Sequence, residues 1–340
     1  MESGLNADII VCRTEHRLTS DLRKKIALFC NVDVKSVIES IDAKTIYDVP
    51  LLMLEEKLDK VVLKKLKIKS KTKADLSSWK KFVHNLKNPK NEVSIGLIGK
   101  YVELQDSYKS ILESFIHAGS VNSVKVNVHP IHSESINKTN VKSLMSNLNG
   151  VLVAPGFGDR GIEGKIISIE YARVNDIPFL GICLGMQMAV IEYARNVIGL
   201  KNANSTEMDY HTKHPVISLM EDQVNVEKKG GTMRLGSWKC EISKGTLTHD
   251  IYKKNVIKER HRHRFELNFN YIESLTKSGM VLCGKNPETD LVEIIELPVH
   301  RWFIGVQFHP EYQSTVDKPH PLFKSFIKAA TNKKRTYGRK

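Results

Sequence analysis

Strand-length apolar runs alternate with segments of helical spacing through the middle of the chain. The runs and segments occupy residues 93–102, 107–117, 124–131, 141–148, 151–154, 162–174, 179–182 and 184–198. Alternation of this kind predicts an α/β fold with a mostly parallel sheet and helices on both faces. Ligands of such folds bind at the carboxyl ends of the strands. From about residue 215 onward, the pattern predicts mostly short strands and loops.

The first 92 residues follow a different pattern. Residues 22–30 have helical spacing after Thr19-Ser20-Asp21, which is a typical capping sequence, and residues 46–54 are apolar. A lysine-rich stretch and Pro89 follow, which predict a linker. We therefore divide the chain into residues 1–65, a linker at 66–92, a main domain at 93–330 and a basic tail at 331–340.

The motif GICLGMQ at residues 181–187 places Cys183 in a glycine-flanked turn between a predicted strand and a predicted helix. This pattern is typical of a nucleophile elbow, with sulfur in place of oxygen. The start of a helix favours the thiolate, which is the nucleophilic form of cysteine. A lone cysteine is more often structural, but the G-x-C-x-G frame favours a catalytic role for Cys183.

The motif GVQFHPEY at residues 305–312 supplies a base and an orienting carboxylate. His309 and Glu311 are two residues apart, so in extended backbone both side chains point to the same side. The carboxylate can then hold the imidazole in the tautomer that accepts the thiol proton. A His-x-Glu pair is weak evidence alone, but together with the elbow it predicts a triad. Cys183 is the nucleophile, His309 the general base and then acid, and Glu311 the orienting group.

A glycine-rich turn, VLVAPGFGDRG at residues 151–161, follows another predicted strand. Its glycine spacing matches a dinucleotide-binding fingerprint, but the next strand does not end in the acidic residue expected about 20 residues later. We favour an oxyanion hole, in which the amides of Gly156 and Leu184 face the oxygen of a tetrahedral intermediate.

These motifs, with NANSTE at 202–207, GGTMRLG at 230–236 and ERHRHRFE at 259–266, resemble the glutaminase domain of CTP synthases. That domain is a class I glutamine amidotransferase with a flavodoxin-like fold. Residues 25–32 (KIALFCNV) and 46–50 (IYDVP) are similar to the end of the synthetase domain of the same family. The resemblance covers nearly the whole chain. It implies that residues 1–65 are the carboxyl-terminal part of a synthetase (amidoligase) domain, and that the chain is a carboxyl-terminal piece.

The resemblance implies hydrolysis of glutamine to glutamate and ammonia, followed by ATP-dependent amination of UTP to CTP at the synthetase site. The residues that it assigns to glutamine binding are Gly156, Phe157, Leu184, Gly185, Met186, Gln187, Glu207 and Arg264. Lys25 and Ala43 correspond to positions of a partial nucleotide site. Arg264 would bind the glutamine α-carboxylate through two parallel hydrogen bonds. Where the family commonly has a second glycine this chain has Pro155, which has no N–H, so the oxyanion donor must be Gly156.

For the complete enzyme, the resemblance implies ATP, Mg²⁺, UTP, GTP as an allosteric ligand and a homotetramer. We expect no metal or cofactor in the glutaminase domain itself. No G-x-x-x-x-G-K-[ST] motif is present; the nearest candidate, Gly164-Lys165-Ile166, lacks the hydroxyl residue that binds Mg²⁺.

Composition limits the other possibilities. The 340 residues are 41% apolar and 26% charged, with a net charge of +14, five cysteines and no C-x-x-C pair. The cysteines favour a cytoplasmic location, and we expect no membrane span and no signal peptide. Basic residues concentrate at 57–73, 80–90 and 324–340, but no nucleic-acid-binding motif or row of aromatic residues accompanies them. We therefore expect a solvated basic surface and no specific nucleic-acid binding.

Two other classes of function stay open at this point. A free-standing glutamine or γ-glutamyl hydrolase would use the same elbow, but residues 25–50 would have no purpose there. A non-catalytic remnant or assembly subunit is the other alternative, and the intact set of triad residues counts against it.

Overall fold

The predicted alternation of strands and helices is present in the computed structural model, which describes residues 2–219 and 233–332. The chain divides into two units between Lys87 and Asn88. The first residues of the GGTMRLG motif, 230–232, and the basic tail from residue 333 lie outside the described residues. No helix in the described ranges combines the length and apolar character needed to span a membrane.

The first unit contains a parallel strand pair and four helices. These elements are β1 (Ile10–Thr14), α1 (Ser20–Phe29), β2 (Val37–Ile41), α2 (Val49–Glu55), α3 (Leu58–Lys65) and α4 (Ser77–Lys87). The Thr19 hydroxyl accepts a hydrogen bond from the Leu22 amide at 3.3 Å, as the capping sequence predicts.

Helix α4 falls inside the segment that we expected to be a linker. Its Trp79 indole donates to the Tyr47 carbonyl at 2.7 Å, and the rings of Tyr47 and Phe82 lie 5.0 Å apart. Apolar residues at helical spacing among the lysines give α4 a buried face. The interpretation of residues 66–92 as a linker therefore does not hold for residues 77–87, which form α4 and belong to the first unit.

A mixed sheet of nine strands organises the second unit. Its strands are β3 (Asn91–Gly99), β4 (Val124–His132), β5 (Gly150–Val153), β6 (Phe179–Ile182), β9 (Arg234–Ile242), β10 (Val256–His263), β12 (Val281–Lys285), β13 (Val292–Glu296) and β14 (Phe303–Val306). Their order is β10-β9-β12-β13-β14-β6-β5-β3-β4. The half from β14 to β4 is parallel, as predicted, whereas the half from β10 to β14 is antiparallel.

A smaller sheet joins β7 (Asn204–Ser205), β8 (Pro215–Leu219) and β11 (Phe265–Leu267). Most of the described strands after residue 215 are short, as predicted, but β9 and β10 contain nine and eight residues. Side chains alternate between exposed and buried along β10, and the two strands extend the main sheet on its antiparallel side. This extension brings the ERHRHRFE motif to the triad.

Helices cover both faces of the large sheet. They are α5 (Lys109–Asn122), α6 (Val141–Met145), α7 (Ile162–Val174), α8 (Leu184–Tyr193), α9 (Leu247–Tyr252), α10 (Ile272–Lys277) and α11 (Pro321–Thr331). Strand residues alternate between two cores: Val151 and Val153 pack with α7 and α8, while Leu152 packs with α5 and α11. Burial on both faces explains why the parallel strands have continuous apolar sequences.

Candidate active site

Cys183 occupies the turn between β6 and α8 in a backbone conformation that is rare for residues other than glycine. Its φ is 52° and its ψ is −105°, and its side chain is buried. The Cys183 amide donates to the Val306 carbonyl at 2.7 Å, which anchors the turn to β14. A Cβ on Gly185 would lie 2.3 Å from the Val153 carbonyl oxygen, so the first turn of α8 packs directly on β5. The tight strand-to-helix turn that the sequence predicts around Cys183 is therefore present, and its role as a nucleophile stays a prediction.

His309 and Glu311 follow β14, the parallel neighbour of β6. Because Val306 pairs with Ile182, the two strands end side by side, and their following residues meet at one edge of the sheet. His309 Nδ1 lies 2.8 Å from Glu311 Oε1, and both side chains are about 95% buried. The His309 ring also stacks on Tyr312, with centroids 5.2 Å apart. Nε2, the other ring nitrogen, is buried and makes no hydrogen bond to the described residues.

The electrostatic environment favours a charged His309. Burial alone lowers the pKa of His309, but the sulfur of Cys183 and the carboxylate of Glu311 act in the opposite direction and raise it to about 11. At neutral pH the imidazole therefore holds its proton.

The glycine-rich turn lies next to the elbow. Gly156 follows β5, and a Cβ placed on it would lie 3.5 Å from Leu184 Cδ2, so the two predicted oxyanion donors belong to neighbouring segments. Phe157, in the same turn, is 47% exposed. Both predicted donors thus lie close to the first turn of α8.

Two lysines near this turn were not predicted. Lys100, at the end of β3, donates to the carbonyls of Phe157 and Gly158, the latter at 3.1 Å. Lys165 on α7 is completely buried and donates to the Ala154 carbonyl at 3.1 Å. Burial lowers the pKa of Lys165 to about 7, with Lys100 acting in the same direction and Cys183 opposing it. Sequence reasoning considered Lys165 only for phosphate binding, because its burial depends on tertiary packing.

Glu207 and Arg264, which the resemblance assigns to glutamine binding, lie near enough for the Arg264 charge to act on Glu207. Glu207 accepts a hydrogen bond from the Gly158 amide at 2.7 Å. Burial raises the pKa of Glu207, an effect that this amide and the charges of Lys100 and Arg264 oppose. Arg264 Nε is buried and has no hydrogen-bond partner among the described residues. A buried guanidinium nitrogen of this kind is suited to an anionic ligand.

Gln187 and Gln307 connect the elbow to the neighbouring strands. Gln187 Nε2 donates to the Phe265 carbonyl at 2.9 Å and to Gln307 Oε1 at 3.2 Å. Gln307 Nε2 in turn lies 3.7 Å from the Cys183 sulfur. Gln307 was missed, although its position two residues before His309 places it directly after β14, on the way to the triad.

The remaining predicted site residues lie at a contact between helix and strand, in the hydrophobic core and in the first unit. Gly185 packs against β5, and the Met186 side chain lies in the hydrophobic core on the α7 side of the sheet. Lys25 on α1 and Ala43 after β2 are exposed residues of the first unit. Among the described residues, no group of three or more His, Cys, Asp or Glu side chains is arranged to hold a metal ion.

Comparison with protein families gives two matches along the chain. The family described as glutamine amidotransferase class-I matches residues 103–329, and the family described as CTP synthase N-terminus matches residues 1–68. The first match covers more than half of the chain and includes every residue of the predicted triad.

Individual relatives agree with these matches. The chain is 66% identical over 330 residues to a CTP synthase of Christiangramia forsetii, covering 97% of this chain and 60% of that protein. It is 64% identical over 334 residues to a CTP synthase of Flavobacterium psychrophilum, covering 98% of this chain and 62% of that protein. The chain therefore spans about three fifths of the length of these relatives.

A solved structure is similar to the second unit. The glutaminase domain of Trypanosoma brucei CTPS with bound acivicin aligns with a TM-score of 0.67 and 37% identity, covering 72% of this chain and 96% of that chain. A TM-score and identity of this size show that the two share a fold, including the large sheet on which the elbow lies.

Proposed function

The chain belongs to the class I glutamine amidotransferases and is similar to CTP synthases over nearly its whole length, and on this premise we propose that Cys183, His309 and Glu311 hydrolyse glutamine. The observation that carries the proposal is the arrangement of the elbow cysteine beside a buried, carboxylate-bound His309 whose pKa is raised to about 11.

The first chemical step is attack of the Cys183 thiolate on the side-chain amide carbon of glutamine. A carbon–sulfur bond forms, and the amide oxygen becomes an oxyanion. The amides of Gly156 and Leu184 stabilise that charge as it develops. His309 already carries a proton at neutral pH and transfers it to the amide nitrogen, so that ammonia leaves and a thioester remains.

The second step hydrolyses the thioester. Neutral His309 accepts a proton from water as the water oxygen attacks the thioester carbon, and the carbon–sulfur bond then breaks. The products are glutamate and the regenerated thiolate and imidazolium pair. Glu311 keeps the imidazole ring in one orientation and stabilises its charged form during both steps.

Recognition of glutamine uses groups at the rim of the same site. Arg264 offers a planar pair of donors to the α-carboxylate, and Glu207 offers an acceptor to the α-ammonium group. Phe157 forms a wall of the pocket. Gln187 hydrogen-bonds to Gln307, and Gln307 contacts the Cys183 sulfur. These contacts hold the turn around Cys183 in position.

We further propose that the ammonia serves the ATP-dependent amination of UTP to CTP. The similarity of both units to CTP synthases supports this proposal. In that case, Lys25 and Ala43 form part of a nucleotide site, GTP acts as an allosteric ligand, and the complete enzyme is a cytoplasmic homotetramer. ATP and Mg²⁺ would supply phosphoryl transfer to the UTP oxygen.

The proposal predicts that Cys183→Ala abolishes glutamine hydrolysis, because no thioester can form without the sulfur. Glutamate release is measured with purified protein, and Cys12→Ala, which removes a thiol of the first unit, serves as the matched control. A glutamine-like electrophile should also label Cys183 before the buried Cys240 and Cys283. Hydrolysis that persists in the Cys183→Ala variant would rule out the nucleophile and favour a different function for the elbow.

A further inference from the structure

Two buried lysines take no part in the reaction described above, although both bind the glycine-rich turn after β5. Lys100 directly follows β3, and Lys165 lies on α7. Lys100 is 6% exposed, and Lys165 is completely buried. Lysine is rarely buried to this extent, because removing an amine from water costs free energy unless the protein supplies partners. The partners of these two amines therefore indicate what the lysines do.

Lys165 binds the first peptide of the turn. Its Nζ donates to the Ala154 carbonyl at 3.1 Å, and this carbonyl is its only hydrogen-bond partner among the described residues. Burial lowers the pKa of Lys165 to about 7. Because the ammonium and the neutral amine both carry N–H groups, either form can donate to the carbonyl. The contact with α7 thus fixes the direction of the peptide between Ala154 and Pro155.

A second peptide of the turn is bound at both of its polar groups. Lys100 donates to the Phe157 carbonyl, and Glu207 accepts from the Gly158 amide at 2.7 Å. This carbonyl and this amide belong to the same planar peptide unit and point in opposite directions. Lys100 also donates to the Gly158 carbonyl at 3.1 Å. Side chains from two segments far apart in sequence therefore fix the peptide between Phe157 and Gly158.

The amide of Gly156, which is the proposed oxyanion donor, lies between these two fixed peptides. Among the residues that the structure describes, the amides of Gly156 and Phe157 donate to no other group. Glycine has a wide choice of backbone angles, so local sequence does not fix the direction of these N–H groups. Pro155 removes one rotation, because its ring fixes φ. With the Ala154 carbonyl bound by Lys165, only the ψ rotation of Pro155 remains between the fixed peptide and the Gly156 N–H.

The nucleophile's helix lies next to the same glycine. A Cβ placed on Gly156 would be 3.8 Å from Lys165 Nζ and 3.5 Å from Leu184 Cδ2. The lysine and the first turn of α8 are therefore both neighbours of Gly156. A change in the contact between Lys165 and the turn would alter the position of Gly156 relative to the second proposed oxyanion donor, the Leu184 amide.

We propose that Lys100 and Lys165 are positioning residues that hold the glycine-rich turn, residues 154–158, so that the Gly156 amide stays directed at the oxyanion. The proposal rests on the proposed glutamine hydrolysis, because the oxyanion forms in that reaction. A donor stabilises an oxyanion most when its direction is set before the reaction begins. Lys100 and Lys165 supply this preorganisation through the carbonyls of the turn, and neither lysine reacts.

Lys165→Met and Lys100→Met test the role by kinetics, because methionine is an unbranched side chain without an N–H donor. In each variant we expect kcat for glutamine hydrolysis to fall about tenfold or more, with a change in KM of less than about threefold. Lys285→Met is the matched control: Lys285 binds the Asp290 carboxylate at 3.1 Å and has no contact with the turn, so kcat should stay unchanged. An unchanged kcat in Lys165→Met or Lys100→Met would overturn the role of that lysine.

Glutamate γ-semialdehyde, an aldehyde analogue of glutamine, reports on the oxyanion donor itself. The Cys183 sulfur adds to the aldehyde carbon, the carbon–oxygen double bond becomes single, and the oxygen takes up the proton that His309 holds. This oxygen occupies the place of the oxyanion. We expect the inhibition constant of the aldehyde to rise in Lys165→Met by about the factor by which kcat falls. An unchanged inhibition constant would contradict the proposed role.

Iodoacetamide separates the donor from the nucleophile. It alkylates the Cys183 sulfur by displacing iodide and forms no oxyanion, so the rate of alkylation in Lys165→Met should stay within about twofold of the parent rate. Mass spectrometry of the Cys183 peptide measures this rate. A loss of alkylation as large as the loss of kcat would show that the substitution displaces the nucleophile, and would overturn the positioning of the turn.

NMR of protein labelled with ¹⁵N-glycine examines the turn without any reaction. The resonance of Gly156 is assigned by its loss in Gly156→Ala. We expect a backbone order parameter of about 0.85 for Gly156 in the parent and a value below about 0.7 in Lys165→Met. An unchanged order parameter together with an unchanged amide chemical shift would show that Lys165 does not hold the turn.

Failure of this proposal is distinguishable from failure of the proposed function. If the parent protein hydrolyses no glutamine, the proposed function fails, and the NMR comparison still decides whether Lys165 holds the turn. If the parent hydrolyses glutamine and the two lysine variants do so equally well, only the positioning role fails.

Discussion

At the residue scale, the protonation of His309 connects stability with mechanism. Its pKa of about 11 in the folded protein lies above the usual value of about 6.5, so the folded protein binds this proton more tightly than the unfolded chain does. The resulting stability is fully present below about pH 6.5 and is lost as the pH rises toward 11. In the proposed mechanism, the departing ammonia takes this same proton.

Glu311→Gln should make this dependence on pH shallower. The variant lacks one of the groups that raise the His309 pKa, and each lowering of that pKa by one removes about 1.4 kcal/mol of stabilisation below the lowered value. Urea unfolding at pH 7 and pH 10 measures the effect, and we expect the free energy of unfolding to fall less between these values in the variant. Equal decreases in both proteins would show that Glu311 does not raise the His309 pKa.

Arg264→Lys tests substrate binding at the same scale. A lysine provides a single point charge, whereas the guanidinium offers two parallel donors to a carboxylate that does not react. We expect the KM for glutamine to rise about tenfold or more with a smaller change in kcat. Steady-state kinetics measures both. A large fall in kcat at constant KM would instead assign Arg264 to the chemical step.

At the element scale, the close packing of α8 on β5 and β6 determines the position of the nucleophile. Gly181 and Gly185 lie where a side chain would meet backbone atoms: a Cβ on Gly181 would be 2.8 Å from the Gly185 carbonyl carbon. Because these two glycines have no side chains, their backbones approach closely and α8 can begin directly after the end of β6. The elbow therefore depends on the helix and strands remaining in contact.

Gly185→Ala should displace the elbow and lower the free energy of unfolding by about 1–3 kcal/mol, because the new methyl group would meet the Val153 carbonyl. Chemical denaturation measures the loss. Gly156→Ala is the matched control, since its nearest neighbour would be a flexible leucine side chain at 3.5 Å. Similar losses in the two variants would argue against the tight packing of α8 on β5.

At the scale of the whole molecule, the two units differ in what they contribute to the hydrophobic cores and to the proposed chemistry. The hydrophobic cores on both faces of the large sheet are formed by residues from Val93 onward, all from the second unit. The first unit contains α1 and the two-stranded sheet, but no glycine-rich phosphate-binding motif occurs in its sequence. The proposed glutaminase chemistry therefore lies entirely within residues 88–340.

The polypeptide of residues 1–340 should form no CTP from UTP and ATP, even when ammonia and Mg²⁺ are supplied directly. Phosphoryl transfer needs a loop of backbone amides around the ATP phosphates, and the sequence of these residues contains no such motif. Chromatographic detection of CTP provides the measurement, with a full-length CTP synthase as the positive control. CTP formation by this polypeptide would show that it contains a synthetase site of its own.

The sequence by itself determined the features that depend on neighbouring residues. The order of strands and helices from residue 91 to residue 193 follows its apolar periodicity, and the cap at Thr19 and the elbow at Cys183 follow from short local motifs. The sequence also allowed the candidate triad to be predicted, because parallel strands that are followed by chemically suited residues end at the same edge of the sheet.

Only the tertiary structure decided which distant residues share the site. Lys100, Lys165 and Gln307 gained their contacts through packing between elements far apart in sequence, and nothing in their local sequence indicates burial or partners. The charged sequence of β10 does not indicate that one of its faces is buried, and β9, β11 and β13 contribute Arg234, Glu266 and Glu293 to that face. Local sequence sets backbone conformation, whereas the protonation and partners of a buried group depend on all the elements that enclose it.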